Sequence, residues 1–132
     1  MSFLLDTDIC SAYMKSNHAV TMRFIQYGGR LHISAVTLGK LWTRVDRANA
    51  PARRLQTLLG LLKEVRVVPV AEDVARKFGE VRAWQLDNGL RSPDLDFING
   101  VTALAHGLTL VTHNLQDYAN IPGLTVVDWM VP

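Results

Sequence analysis

Only one cysteine, Cys10, occurs in the 132 residues. No intrachain disulfide can form, so the chain must hold its fold with an apolar core, and a reducing cytoplasm is the expected setting. Long hydrophobic runs are missing too: nothing approaches the roughly 18 consecutive apolar residues of a membrane-spanning helix. Asp6 interrupts the apolar opening and no basic segment precedes it, which argues against a secretory signal. There is no repeat, low-complexity tract or linker, so residues 1–132 are expected to form one domain.

Several chemistries are absent by motif. The histidines His18, His32, His106 and His113 show no i,i+4 pairing, which removes the usual zinc arrangement. There is no G-x-G-x-x-G after the first apolar run, no Gly-Lys-Ser/Thr phosphate loop and no G-x-S-x-G. Cys10 reads as a buried helix residue, not a nucleophile. The net charge is +2, with a pI near 8.9. That suits a polyanionic partner without demonstrating one.

What is present is an alternation of apolar, β-rich runs with longer stretches of helical period. The strands are expected at 3–5, 31–33, 65–70, 108–112 and 125–127. Helices are expected after Asp6-Thr7-Asp8, with Thr7 or Asp8 as cap, and at 18–27, stopped by Gly28-Gly29. Further helices run from Ser34 as N-cap, at 51–63 with Pro51 in the first turn, at 71–87, and from Ser92-Pro93-Asp94, with Ser92 as cap and Pro93 in the first turn, to His106. Strand alternating with helix predicts an α/β fold: a mostly parallel sheet of about five strands with helices on both faces.

In such sheets ligands bind outside the carboxyl ends of the strands. Asp6 follows the first strand; Thr112, Asn114 and Asp117 follow the fourth; Asp94 and Asp96 begin the helix leading into it. Carboxylates gathered at one edge repel one another and suit hard divalent ions such as Mg²⁺ or Mn²⁺. Bound ions of this kind can activate water for attack on a phosphodiester. For any one of these acids alone, a helix cap or dipole partner is the commoner explanation. Asp94 and Asp96 lie about 200° apart around a helix, so both cannot face one site. Asp96 shares its face with the small Gly100 and Ala103 and is the better candidate. Arg44, Arg47, Arg53 and Arg54 form a basic stretch able to meet RNA phosphates, or simply the solvated faces of two helices. Trp42, Trp84 and Trp129 read as core or partner-groove residues. Leu41, Trp42 and the run 55–62 supply apolar surface for a dimer face or a partner groove.

The segments "FLLDTDICSAYMK", "ISAVTLGKLW", "SPDLDFINGVTALAHGLTLVTHNLQDYANIPGL" and "VVDW" together resemble the PIN-domain ribonuclease toxins of the VapC type, over nearly the full length. The resemblance implies a PIN-like three-layer fold and a prokaryotic, cytoplasmic endoribonuclease dependent on Mg²⁺ or Mn²⁺. It also implies a homodimer silenced by an antitoxin seated in a surface groove. By motif, Asp6 matches the family's first acid, Asp96 the third, and Thr112, Asn114 and Asp117 the final polar cluster. The second acid is a glutamate in Ser-x-x-Thr-x-x-Glu-Leu. Ser34, Thr37 and Leu41 keep that pattern, and Lys40 stands in the glutamate's place.

A lysine there puts a positive charge beside the implied metal. Its ammonium is expected to pair with Asp6 or Asp96 and to weaken metal binding and cleavage. Two accounts follow: a copy of an active nuclease inactivated by one change, or a naturally degenerate module that binds RNA or an antitoxin without cutting. The otherwise intact pattern favours the first.

Overall fold

Phe3-Leu4-Leu5 forms the innermost strand, β1 (Phe3–Leu5), and all three side chains are buried. The computed structural model describes residues 1–47, 49 and 51–131. Strand β1 pairs in parallel with β2 (Leu31–Ser34) on one side and β4 (Thr109–Val111) on the other. Strands β3 (Arg66–Val68) and β5 (Val126–Val127) complete a fully parallel sheet in the order β3-β2-β1-β4-β5. A strand covered on both faces has no need of alternating polarity, hence its continuous apolar run.

Successive β1 side chains point to opposite faces and seed two cores. Phe3 and Leu5 pack with residues of α1 (Thr7–Met14), α2 (His18–Gln26), α3 (Ala35–Asp46) and α4 (Pro51–Leu62). Leu4 packs with α5 (Glu72–Asp87) and α6 (Asp94–Ala105). The result is three layers, helices over each face of one sheet. None of the described helices is long and apolar enough to cross a membrane.

Four local expectations change. Helix α1 is capped by Asp6, whose Oδ1 accepts from the Thr7 N–H at 2.8 Å, not by Thr7 or Asp8. Ser92 does not cap α6: Pro93 holds the cap position without a side-chain bond, and Ser92 Oγ instead accepts from the buried Gln85 Nε2 at 3.0 Å. The third strand is shorter than 65–70 because Pro69 has no N–H to give the ladder. A 3-10 turn, Leu115–Tyr118, was not anticipated. In addition, Leu41, Leu58 and Leu61 are consumed by the core, leaving Trp42 and Leu59 as the exposed members of that apolar run.

Gly100 on α6 lies where the helix meets the chain after the 3-10 turn. A Cβ there would fall 2.5 Å from Ile121 Cδ1 and 3.3 Å from the Tyr118 ring. Gly100→Ala is therefore expected to cost about 1 kcal/mol, the low end for overpacking because the methyl of Ile121 can swing aside. The helical preference for alanine offsets part of this strain. A lowered urea midpoint with unchanged slope checks it.

Candidate active site

The carboxyl end of β1 delivers Asp6 into a buried position, 5% exposed, where it is the best-connected side chain of the pocket. Its Oδ1 takes the Thr7 N–H and, at 3.5 Å, Asn99 Nδ2. Its Oδ2 accepts from Thr112 Oγ1 at 2.9 Å and from the Tyr118 hydroxyl at 2.9 Å. A carboxylate has about four lone-pair positions, and here each has a protein donor. The elements explain the convergence: Thr112 follows β4 beside β1, Tyr118 closes the 3-10 turn, and Asn99 projects from α6.

Asn99 continues the chain of contacts. Its Oδ1 accepts from Ser34 Oγ at 2.7 Å, and its Nδ2 reaches the Tyr118 oxygen at 3.3 Å. Ser34 also caps α3 by accepting from the Thr37 N–H at 3.1 Å. That cap sets the register of α3 and brings Lys40 toward α6. Lys40 Nζ stands 3.8 Å from Asp96 Oδ1, with the two side chains 33% and 19% exposed. Lys40 thus leans toward Asp96 while keeping a third of its side chain in solvent.

Asp96 Oδ1 also lies 3.4 Å from the Tyr118 hydroxyl. Burial pushes the Asp96 carboxyl above the usual range; Lys40 pulls it down, and the Asp6 and Asp117 charges push it up again. The net shift is upward, so one ammonium, itself a third exposed, does not offset burial plus two neighbouring acids. Burial, followed by the charge of Asp6, raises the Tyr118 phenol far above its ordinary value, so it remains a donor.

Asp6, Asp96 and Lys40 therefore meet around Tyr118, with Asp117 near enough to repel Asp96. Asn114 sits at the rim, its backbone N–H on Thr112 Oγ1 at 3.1 Å. Asp94 is elsewhere: it is exposed and pairs with Arg82 at 3.5 Å. Arg44, Arg53 and Arg54 line one groove between α1, α3 and α4, which Arg47 does not join. An adjoining groove carries Arg44 and Arg54 with Lys15 up to Asp8, His113 and Asn114. Cys10 is fully buried and its thiol is pushed up by burial, which makes it inert.

Asn99 and Tyr118 are not among the site residues expected from the sequence. Their signals were there: Asn99 lies three residues after Asp96, on the same helical face, and a tyrosine placed in a core needs a partner for its hydroxyl. Asp8, a cap candidate by sequence, belongs to the rim. Its Oδ2 accepts the His113 N–H at 2.8 Å, while His113 Nδ1 meets Asp128 at 2.7 Å.

Burial, reinforced by Asp6, raises the Asp8 carboxyl above its unfolded value of 3.8. The protonated form is thus favoured in the fold, and the cost of ionisation is absent below the unfolded value and grows as pH rises through the folded one. Asp8→Asn keeps the acceptor for His113 but turns its NH2 toward the Ile9 N–H. The test is therefore its urea midpoint relative to the parent, which is expected to be higher at about pH 7 than at about pH 3. A pH-independent gap would contradict it.

As arranged, these residues do not fit a divalent ion. Asp6 is saturated by protein donors, Asp96 faces an ammonium, and no group of three or more His, Cys, Asp or Glu among the described residues has metal-holding geometry.

The model of the PIN domain family matches residues 3–124 of the chain. The tRNA(fMet)-specific endonuclease VapC of Shigella flexneri is 30% identical over 130 residues, 98% of either chain. The protein of the same name from Salmonella typhimurium is 29% identical over 130 residues, again 98% of each. The crystal structure of DNA-bound VapBC from Salmonella typhimurium superposes with a TM-score of 0.91 at 29% identity, covering 98% of both chains.

Proposed function

Because this chain belongs to the PIN-domain family, in its VapC branch, we propose that it is a ribonuclease toxin of a toxin–antitoxin pair whose acid pocket is held shut by Lys40. The observation that carries the reading is the Lys40 ammonium 3.8 Å from Asp96, at the strand ends where the acids converge. The endonuclease relatives named for tRNA(fMet) support RNA as the substrate class. The groove lined by Lys15, Arg44 and Arg54 reaches Asp8, His113 and Asn114 at the rim and offers phosphates a cationic track. The structural relative is a complex with its VapB partner, which supports an antitoxin as the partner here. A homodimer in a prokaryotic cytoplasm completes the proposal.

The pocket of the chain as it stands does not suit Mg²⁺ or Mn²⁺. Lys40→Glu would replace the ammonium by a third carboxylate beside Asp6 and Asp96, a donor set such ions prefer. The test is RNA cleavage with Mg²⁺ or Mn²⁺ by the chain as given and by Lys40→Glu. Equal rates would remove Lys40 from the pocket's chemistry.

A second reading has its own observation. The four donors on Asp6 make a satisfied polar network that needs no ion. That favours a module that binds RNA or an antitoxin without cutting. Under that reading no position-40 variant cleaves RNA, while partner binding persists.

A further inference from the structure

We propose that the pocket carries two independent locks, Lys40 on Asp96 and the Tyr118–Asn99 pair on Asp6, so that reverting Lys40 alone only half-opens it. This deepens the proposed function at the same pocket and rests on the convergence of the acids there.

The argument begins with one proton. The Tyr118 hydroxyl lies 2.9 Å from Asp6 Oδ2 and 3.4 Å from Asp96 Oδ1, and it has a single hydrogen to give. The shorter contact takes it. Asn99 holds the hydroxyl in that orientation, because its Nδ2 points at the Tyr118 oxygen while its Oδ1 is engaged by Ser34 Oγ at 2.7 Å. With the amide fixed in this way, the hydroxyl oxygen is an acceptor toward Asn99 and its hydrogen is directed to Asp6. Asp96 then faces an oxygen with no proton to offer, and the Lys40 ammonium, at 3.8 Å too far for a hydrogen bond, supplies a counter-charge instead.

Each carboxylate thus has its own device, placed by a different element. Lys40 comes from α3, Asn99 from α6 and Tyr118 from the 3-10 turn. Removing Lys40 leaves all four donors on Asp6. An ion entering the pocket would still have to displace a short hydrogen bond to a charged acceptor, one of the stronger kinds of bond in a buried site. Removing the hydroxyl leaves Lys40 on Asp96. Neither change alone frees both carboxylates.

The test is Mn²⁺ binding to the intact chain by isothermal titration calorimetry. It compares the parent, Lys40→Glu, Tyr118→Phe and the double variant. No saturable binding is expected for the parent or Tyr118→Phe and weak binding for Lys40→Glu. The double variant is expected to bind at least about tenfold more tightly than Lys40→Glu. Lys40→Glu binding as tightly as the double variant would overturn the inference, as would Tyr118→Phe binding like the double variant. Tyr118→Phe keeps the ring, and near-ultraviolet circular dichroism reports whether the core survives. If it does not, Asn99→Ala on Lys40→Glu takes its place, since it removes the amide that orients the hydroxyl together with one donor to Asp6. A gain of about threefold is expected there, and no gain overturns the second lock. A double variant that binds Mn²⁺ tightly yet leaves RNA intact supports the two locks while overturning the ribonuclease reading.

Discussion

Lys40→Glu is expected to raise Mn²⁺-dependent RNA cleavage at least about 100-fold over the chain as given, equivalent to roughly 2.7 kcal/mol of barrier. Two unit charges about 4 Å apart interact by about 4 kcal/mol at an effective dielectric of 20. The substitution changes the charge beside Asp96 by two units, from attraction to repulsion. Lys40 is one-third exposed, so solvent screens a good part of this, and the full Coulomb figure is an upper bound. About one third of the two-charge figure matches the rate change. Adding Asp6→Asn should return cleavage to background, because the amide keeps the size of the side chain but not its charge. Expressed without a partner protein, Lys40→Glu should arrest growth where the parent does not. Harmless expression of a variant that cleaves RNA in vitro would point to a substrate absent from the host.

Phe97→Ala should produce the largest loss of stability, about 3–5 kcal/mol, seen as a fall in melting temperature of about 10 °C or more. Phe97 is fully buried and meets Phe78 edge-on, with centroids 4.9 Å apart. The Arg82 guanidinium lies 4.0 Å from the centre of its ring. Truncation removes apolar transfer energy, an aromatic pair and a cation–π contact from one place, and it leaves a cavity between α5 and α6. Phe97→Leu refills most of that volume and should cost less than half as much. If the two variants melt together, the cavity collapses and the aromatic geometry contributes nothing. The effect should also reach the pocket, because α6 carries Asp96 and Asn99 on either side of Phe97.

The layers of this fold were legible because each strand is a short apolar run and each helix carries its own period and stop. Local chemistry was enough to place Ser34 as the cap of α3 and to end α2 at Gly28-Gly29. It failed at Ser92 because a serine before a proline looks like a cap whether or not a buried glutamine, seven residues earlier, claims its hydroxyl. It failed at Asp6 because three candidate caps in a row, Asp6, Thr7 and Asp8, are equivalent until Thr112, just past β4, donates to Asp6 and fixes which one points inward. The 3-10 turn was missed because four residues are too few to show a period.

Residue types and spacing by themselves determined the alternating strand–helix order, the parallel sheet and the acids gathered at strand ends; the family resemblance added the anomaly of Lys40 in the glutamate's place. These are local or one-dimensional properties, set by hydrophobic period, capping chemistry and the right-handed crossover between parallel strands. The tertiary structure alone decided who answers each acid: Asp94 goes outward to Arg82, Lys40 across to Asp96, and Asp6 to donors up to 112 positions away along the chain. Such choices are non-local. A carboxylate accepts from whichever donor the packing of α6, β4 and the 3-10 turn brings within about 3 Å, and no spacing along a single element encodes that distance.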